Sequence, residues 1–115
     1  MKLKELAEKA GLAPLQDQGD LEVSVGGGYT GDLLSDVMGH SAARSVWVTC
    51  QTHENIVAVA KLKNLAAIIL VNGRTPDPSV LKKAREVGIP MFGTSAPAFA
   101  VSAGLHALLA EPKDR

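Results

Sequence analysis

The sequence holds a single cysteine, Cys50, among 115 residues. One thiol cannot close an intrachain disulfide, so the framework that staples small secreted domains is absent and a reducing, cytoplasmic setting is expected. Aromatic residues are equally sparse: Tyr29, Trp47, Phe92 and Phe99 are the whole set. Four scattered rings do not make a stacking platform for single-stranded nucleic acid. There is no charge excess either, because 12 Lys and Arg balance 12 Asp and Glu. A neutral chain lacks the field that recruits a nucleic-acid backbone or an anionic membrane, and neither partner is expected. No apolar run approaches the roughly 20 residues that span a bilayer. Residues 1 to 12 interleave Lys and Glu with Leu and Ala, unlike the unbroken apolar centre of a signal peptide. His40, His53 and His106 show no His-x-x-x-His spacing and no cysteine cluster beside them, so neither a metal site nor a bound cofactor is expected. No repeat of fixed period argues for a solenoid.

What is present reads as one soluble domain, residues 1–115 with a core over about 3–109. Apolar residues at 46% and charged ones at 21% are the proportions of a chain that buries one core. Leu3, Leu6, Ala7 and Ala10 recur at helical spacing and Gly11 supplies a stop, which predicts a helix over 1–10. Leu21, Val23 and Val25 alternate with Glu22 and Ser24, the period of a half-exposed strand. The glycines at 26 to 28 then break it, and helical spacing resumes over 32–38. From there the pattern repeats: strand 46–50, helix 54–62, strand 66–71, helix 78–87, strand 89–92 and helix 97–109. Polar turns are expected over 17–20, and a charged tail over 111–115. The middle strands are almost wholly apolar, as strands covered on both faces are. Single helices between such strands call for right-handed crossovers. The fold class expected is therefore α/β, a three-layer α/β/α sandwich around a mainly parallel sheet of four or five strands. The alternating strand over 21–25 is expected at the edge and antiparallel.

In an open parallel sheet, ligands bind beside the carboxyl ends of the strands. Four loops fall there: 26–31, 51–54, 72–76 and 93–96. In the first, Gly26, Gly27, Gly28, Tyr29 and Thr30 precede a helix, so their amides could receive an anion, or the glycines could serve only a sharp turn. Thr30 or Asp32 could equally cap the helix. In the second, Thr52 is placed as an N-cap and His53 as a ligand contact. Cys50 and His53 could in principle form a nucleophilic pair, but no third group orients them, and no catalytic residue is assigned. In the third, Arg74 follows Asn72 and Gly73 and offers a planar fork to a phosphate or carboxylate, or is a solvated turn residue. Thr94 and Ser95 are helix caps or oxyanion-type donors. Ala98, Ala100, Ala103, Gly104 and Ala107 leave the last helix smooth enough to pack closely on another helix or on the sheet.

Three ordered segments, Gly-Tyr-Thr-Gly-Asp-Leu-Leu-Ser-Asp-Val-Met (28–38), Val-Trp-Val-Thr-Cys-Gln-Thr-His-Glu-Asn-Ile-Val-Ala-Val-Ala (46–60) and Ala-Ala-Ile-Ile-Leu-Val-Asn-Gly-Arg (66–74), resemble the DRTGG domain family over residues 3 to 109. The resemblance implies a fold like the N-terminal domain of HPr kinase/phosphorylase. It also implies kinship with domains set beside CBS domains in regulated pyrophosphatases and inside long phosphate acetyltransferases, where the domain is not the catalytic part. The residues that give the family its name are changed here: Thr52-His53 stand for Asp-Arg, and Val71-Asn72-Gly73 for Thr-Gly-Gly. Residues and resemblance together lead to a non-enzymatic regulatory domain. It is expected to bind a small anionic ligand, for instance a nucleotide, and to act through a homodimer or a partner enzyme. The competing expectation is a pure dimerising or docking module for an energy-metabolism enzyme such as a hydrogenase.

Overall fold

The computed structural model describes residues 1–16 and 19–111. The expected turn residues Asp17 and Gln18 and the tail beyond Glu111 lie outside the described residues. The parallel core forms from the segments whose apolar runs are unbroken. Strand β3 (Ser45–Thr49), β4 (Ala67–Leu70) and β5 (Met91–Gly93) are buried along their whole length. Their side chains divide by parity, as a pleat requires. Val46, Val48, Ala67, Ile69 and Phe92 face one apolar layer, while Trp47, Ile68, Leu70 and Met91 face the other. Both layers are helical: α2 (Leu34–His40), α3 (Asn55–Leu62) and α4 (Pro78–Val87) cover the Trp47 side, and α1 (Leu3–Ala10) and α5 (Ala98–Ala110) cover the other. Burying each such aliphatic side chain contributes about 1.5–3 kcal/mol. The expected three-layer α/β/α sandwich with a mainly parallel sheet is thus the observed architecture.

The five strands stand in the order β1-β5-β4-β3-β2, where β1 is Ala13–Pro14 and β2 is Gly27–Thr30. Strands β2 to β5 are parallel, and β1 alone is antiparallel, pairing Ala13 with Gly93. Each right-handed step moves one strand further in the same direction, which places α2, α3 and α4 on one face.

Two expectations are corrected at the amino end. The segment 21–25 is not a sheet strand, and the antiparallel edge belongs to β1. The first amides of a helix have no intrahelical acceptor, and α1 has no side-chain cap. Its Leu3 and Lys4 amides instead donate to the Val23 and Leu21 carbonyls, each at 2.9 Å. The alternation of Leu21, Val23 and Val25 does bury one side, against the α1 and α5 layer, but the backbone serves as a helix cap and leaves one isolated bridge, Lys2 to Ser24. The second correction concerns the glycines. Gly27 and Gly28 are not a turn but the first half of β2, in parallel register with Ser45 and Val46. Pairing with β3 outweighs the poor strand propensity of glycine, which costs about 0.5–1 kcal/mol per residue relative to alanine.

Candidate functional site

The carboxyl ends of the parallel strands release four loops to one edge, and hydrogen bonds tie these loops in two pairs. The first pair is joined by Asp32, which follows β2. Its Oδ1 accepts from the Thr49 hydroxyl at 2.7 Å and from the Cys50 amide at 2.9 Å, while the Gln51 side chain donates to its carbonyl at 2.9 Å. Trp47, fully buried, reaches the same loop by donating its indole N–H to the Gly31 carbonyl at 2.8 Å. The Cys50 amide above all, then the Thr49 hydroxyl and the charge of Arg74, hold the Asp32 carboxyl below its ordinary range against an opposing effect of burial. Asp32 is therefore a carboxylate at neutral pH. For Cys50 the direction is reversed: burial first, then the hydrogen bond and charge of Asp32, push the thiol up. A thiol held protonated is a poor nucleophile, which argues against chemistry at Cys50.

The second pair joins the loops after β4 and β5. Asn72 and Gly73 both adopt left-handed φ values, 60° and 67°, and the Arg74 amide donates to the Val71 carbonyl at 3.1 Å. That is a type I′ turn, the one backbone geometry for which Asn-Gly is the preferred sequence. The turn is fastened to the neighbouring loop, since Asn72 N–H donates to the Ala96 carbonyl at 3.0 Å and Gly73 N–H to the Thr94 carbonyl at 2.9 Å. Arg74 thus leaves a rigid, doubly anchored turn with its side chain exposed. Thr94 folds its own loop by accepting from the Ala96 amide at 3.2 Å and is not a helix cap, because α5 begins at Ala98, behind Pro97, without a side-chain cap.

His53 opens α3. Its Nδ1 accepts from the Asn55 amide at 3.1 Å, so His53 and not Thr52 satisfies the start of the helix. The Nε2 side of the exposed ring stays free to meet a ligand. Thr52, His53, Asn72, Gly73, Arg74, Thr94 and Ser95 therefore share the carboxyl edge. The glycine segment does not join them. Gly26 and Gly27 lie at the opposite end of the sheet, where the Gly26 amide donates to the Arg44 carbonyl at 2.9 Å. Gly28 and Tyr29 run along the open side of β2, and only Thr30 comes near the edge, where it caps no helix but shares a 2.7 Å hydrogen bond with Ser102 of α5. Sequence reasoning missed Asp32 as the organiser of the edge. Its signal was there, a lone acidic residue in a glycine-bounded loop after a strand, but a local cap explained it equally well. Among the described residues no group of three His, Cys, Asp or Glu side chains could hold a metal ion, and no helix is long and apolar enough to cross a membrane.

No family model matches the chain, and no curated protein matches it in sequence. Among solved structures, the chain is similar to the crystal structure of the CBS and DRTGG domains of the regulatory region of Clostridium perfringens pyrophosphatase, complexed with its activator diadenosine tetraphosphate. The TM-score is 0.74 over 90% of this chain, at 13% sequence identity. The chain spans 45% of the length of that structure. At this identity the likeness is one of fold, and it bears out a DRTGG-like α/β architecture.

Proposed function

We propose that this chain is a regulatory domain, without catalytic chemistry of its own, that takes a small anionic ligand such as a nucleotide at the carboxyl edge of its sheet. The observation that carries the reading is the anchored type I′ turn that presents Arg74. A guanidinium fixed at its root loses less freedom on clamping a phosphate than one on a loose loop. The donors on the same edge are of the right kind: the Thr52 and Ser95 hydroxyls and the Nε2 of His53. Support of a coarser sort comes from the neighbour of similar fold, a regulatory region complexed with a dinucleotide activator. A Cys50 thiol whose surroundings keep it protonated speaks against nucleophilic chemistry there.

The test is a thermal-shift and calorimetric titration with AMP, ADP, ATP and diadenosine tetraphosphate at millimolar concentration. A ligand that binds only the folded state stabilises it by about 2.7 kcal/mol at a hundredfold excess over Kd, and so raises its melting temperature. Stabilisation by at least one of these compounds, weakened about tenfold or more in Arg74→Ala, is expected. No stabilisation by any of them removes the proposal.

A second reading, a docking module, is favoured by one observation. Phe99 and Leu33 are 88% and 68% exposed, and they stand at the starts of α5 and α2, on either side of the same edge. In that reading the cytoplasmic partner, or a second copy of the chain, covers the edge.

A further inference from the structure

A second place on the molecule has the form of a ligand site, and it lies away from Arg74. Between β2 and α5 runs a groove of about 380 Å³, within the usual size of small-molecule sites. Val48 and Gly28 form its floor and Leu105 and Leu109 its helical wall. The hydrogen-bonded hydroxyls of Thr30 and Ser102 close one end, and exposed His106 stands among its lining residues.

The glycines along β2 have no explanation inside the fold. None of Gly26, Gly27 and Gly28 has a positive φ, and a Cβ built on them would meet nothing nearer than 3.6 Å. A larger residue would fit the protein at each position. At Gly28, however, it would fill the groove, since Gly28 shares the face of β2 that meets Val46 and α5. Glycine inside a strand marks a close approach by a ligand or another backbone.

The same strand supplies hydrogen-bonding groups. As β2 ends the sheet, pairs Gly28 with Val46 and Thr30 with Val48, and is followed by the Gly31 amide donating to the Val48 carbonyl, the alternation of a parallel ladder turns the amides and carbonyls of Gly28 and Thr30 away from β3. Tyr29 lines the groove by its backbone, because its ring packs with Trp47 in the opposite layer and against Gly31. No lining residue carries a permanent charge, and a buried ion without a partner is strongly disfavoured.

We propose that this groove binds an uncharged, flat heteroaromatic molecule of about purine size. One face lies on Gly28 and Val48, and its donor and acceptor edge meets the free backbone groups of Gly28 and Thr30. The site is independent of the anion site at the carboxyl edge.

The test is an amide NMR titration of the full, nitrogen-15-labelled chain with adenine and with benzimidazole. Saturable shifts confined to residues 27–30 and 102–110 are expected. Gly28→Leu and His106→Trp, which fill the groove from its two sides, should each weaken binding about tenfold or more, while Arg74→Ala leaves it unchanged. His106 is exposed on α5, so its replacement keeps the test valid if Gly28→Leu does not fold. Absence of shifts at the solubility limit of both probes overturns the proposal, as do shifts that survive both substitutions or map to residues 72–74. Shifts at β2 produced by an uncharged extended peptide, acetyl-Val-Ala-Val-amide, but by neither ring overturn it in favour of strand addition.

Discussion

Asp32 shows how one side chain sets the chemistry of its neighbours. Its carboxylate bonds to Thr49 and Cys50 and is held below the ordinary value of 3.8 by the Cys50 amide, the Thr49 hydroxyl and Arg74. A carboxyl whose native pKa is depressed adds stability that is fully present above its unfolded value and is lost as the pH falls through its native one. Asp32→Asn is therefore expected to cost about 1 kcal/mol at pH 7, a modest amount because the site is exposed. The difference from the wild type should persist down to about pH 5 and shrink below the ordinary aspartate range, as urea melts at stepped pH would record. The same substitution acts on Cys50 in the opposite sense. With the negative charge gone the thiol loses one of the causes that raise its pKa, so iodoacetamide should alkylate Cys50 several-fold faster at pH 8 in Asp32→Asn than in the wild type. An unchanged rate would mean that burial alone protects the sulfur.

At the scale of elements, the legible parts of the fold were those in which local pattern and tertiary use agree. The apolar runs at 46–50 and 66–71 become β3 and β4 almost residue for residue, and helix 78–87 is observed with those bounds. The failures have one cause, long-range pairing that the local pattern does not contain. Leu21 to Val25 alternate as a strand does, but their carbonyls are taken by the start of α1. Gly27 and Gly28 read as a turn until β3 is beside them. At the candidate site, the loops after β3, β4 and β5 were identifiable because they follow recognisable strands. The glycines were misplaced with the boundary of β2, and Asp32 was hidden because its partners are 17 and 18 residues away in sequence. Connections also carry local cost. Arg44, which leads into β3, holds a left-handed φ of 63°, a conformation that costs a non-glycine residue about 1–2 kcal/mol. Arg44→Gly trades this for the greater chain entropy of glycine, and a gain of up to about 1 kcal/mol in urea denaturation is expected.

At the scale of the whole molecule, two large apolar side chains remain in water at the edge that the loops build. Phe99 and Leu33 are more exposed than the compact core around them would suggest, and exposed apolar groups that flank a polar centre are a common form of interaction surface. If a second copy covers this edge, light scattering should report a dimer that Phe99→Ser converts to monomer with the melting temperature of the fold nearly unchanged. A wild-type monomer at all concentrations would leave the edge to a small ligand or to a different protein.

The order of strands in the sheet bears finally on how the molecule comes together. From β2 to β5 each strand lies beside the one that precedes it in the chain, so most of the sheet can grow by short steps, each closing a small loop. Only β1 breaks the sequence, pairing residue 13 with residue 93, with the rest of the sheet lying between them in the chain. Its pairing closes the largest loop for the fewest hydrogen bonds, and should be the last to form and the first to open. In native-state hydrogen exchange, the Leu15 amide, which donates to the Met91 carbonyl, should lose protection well before those of β3 and β4.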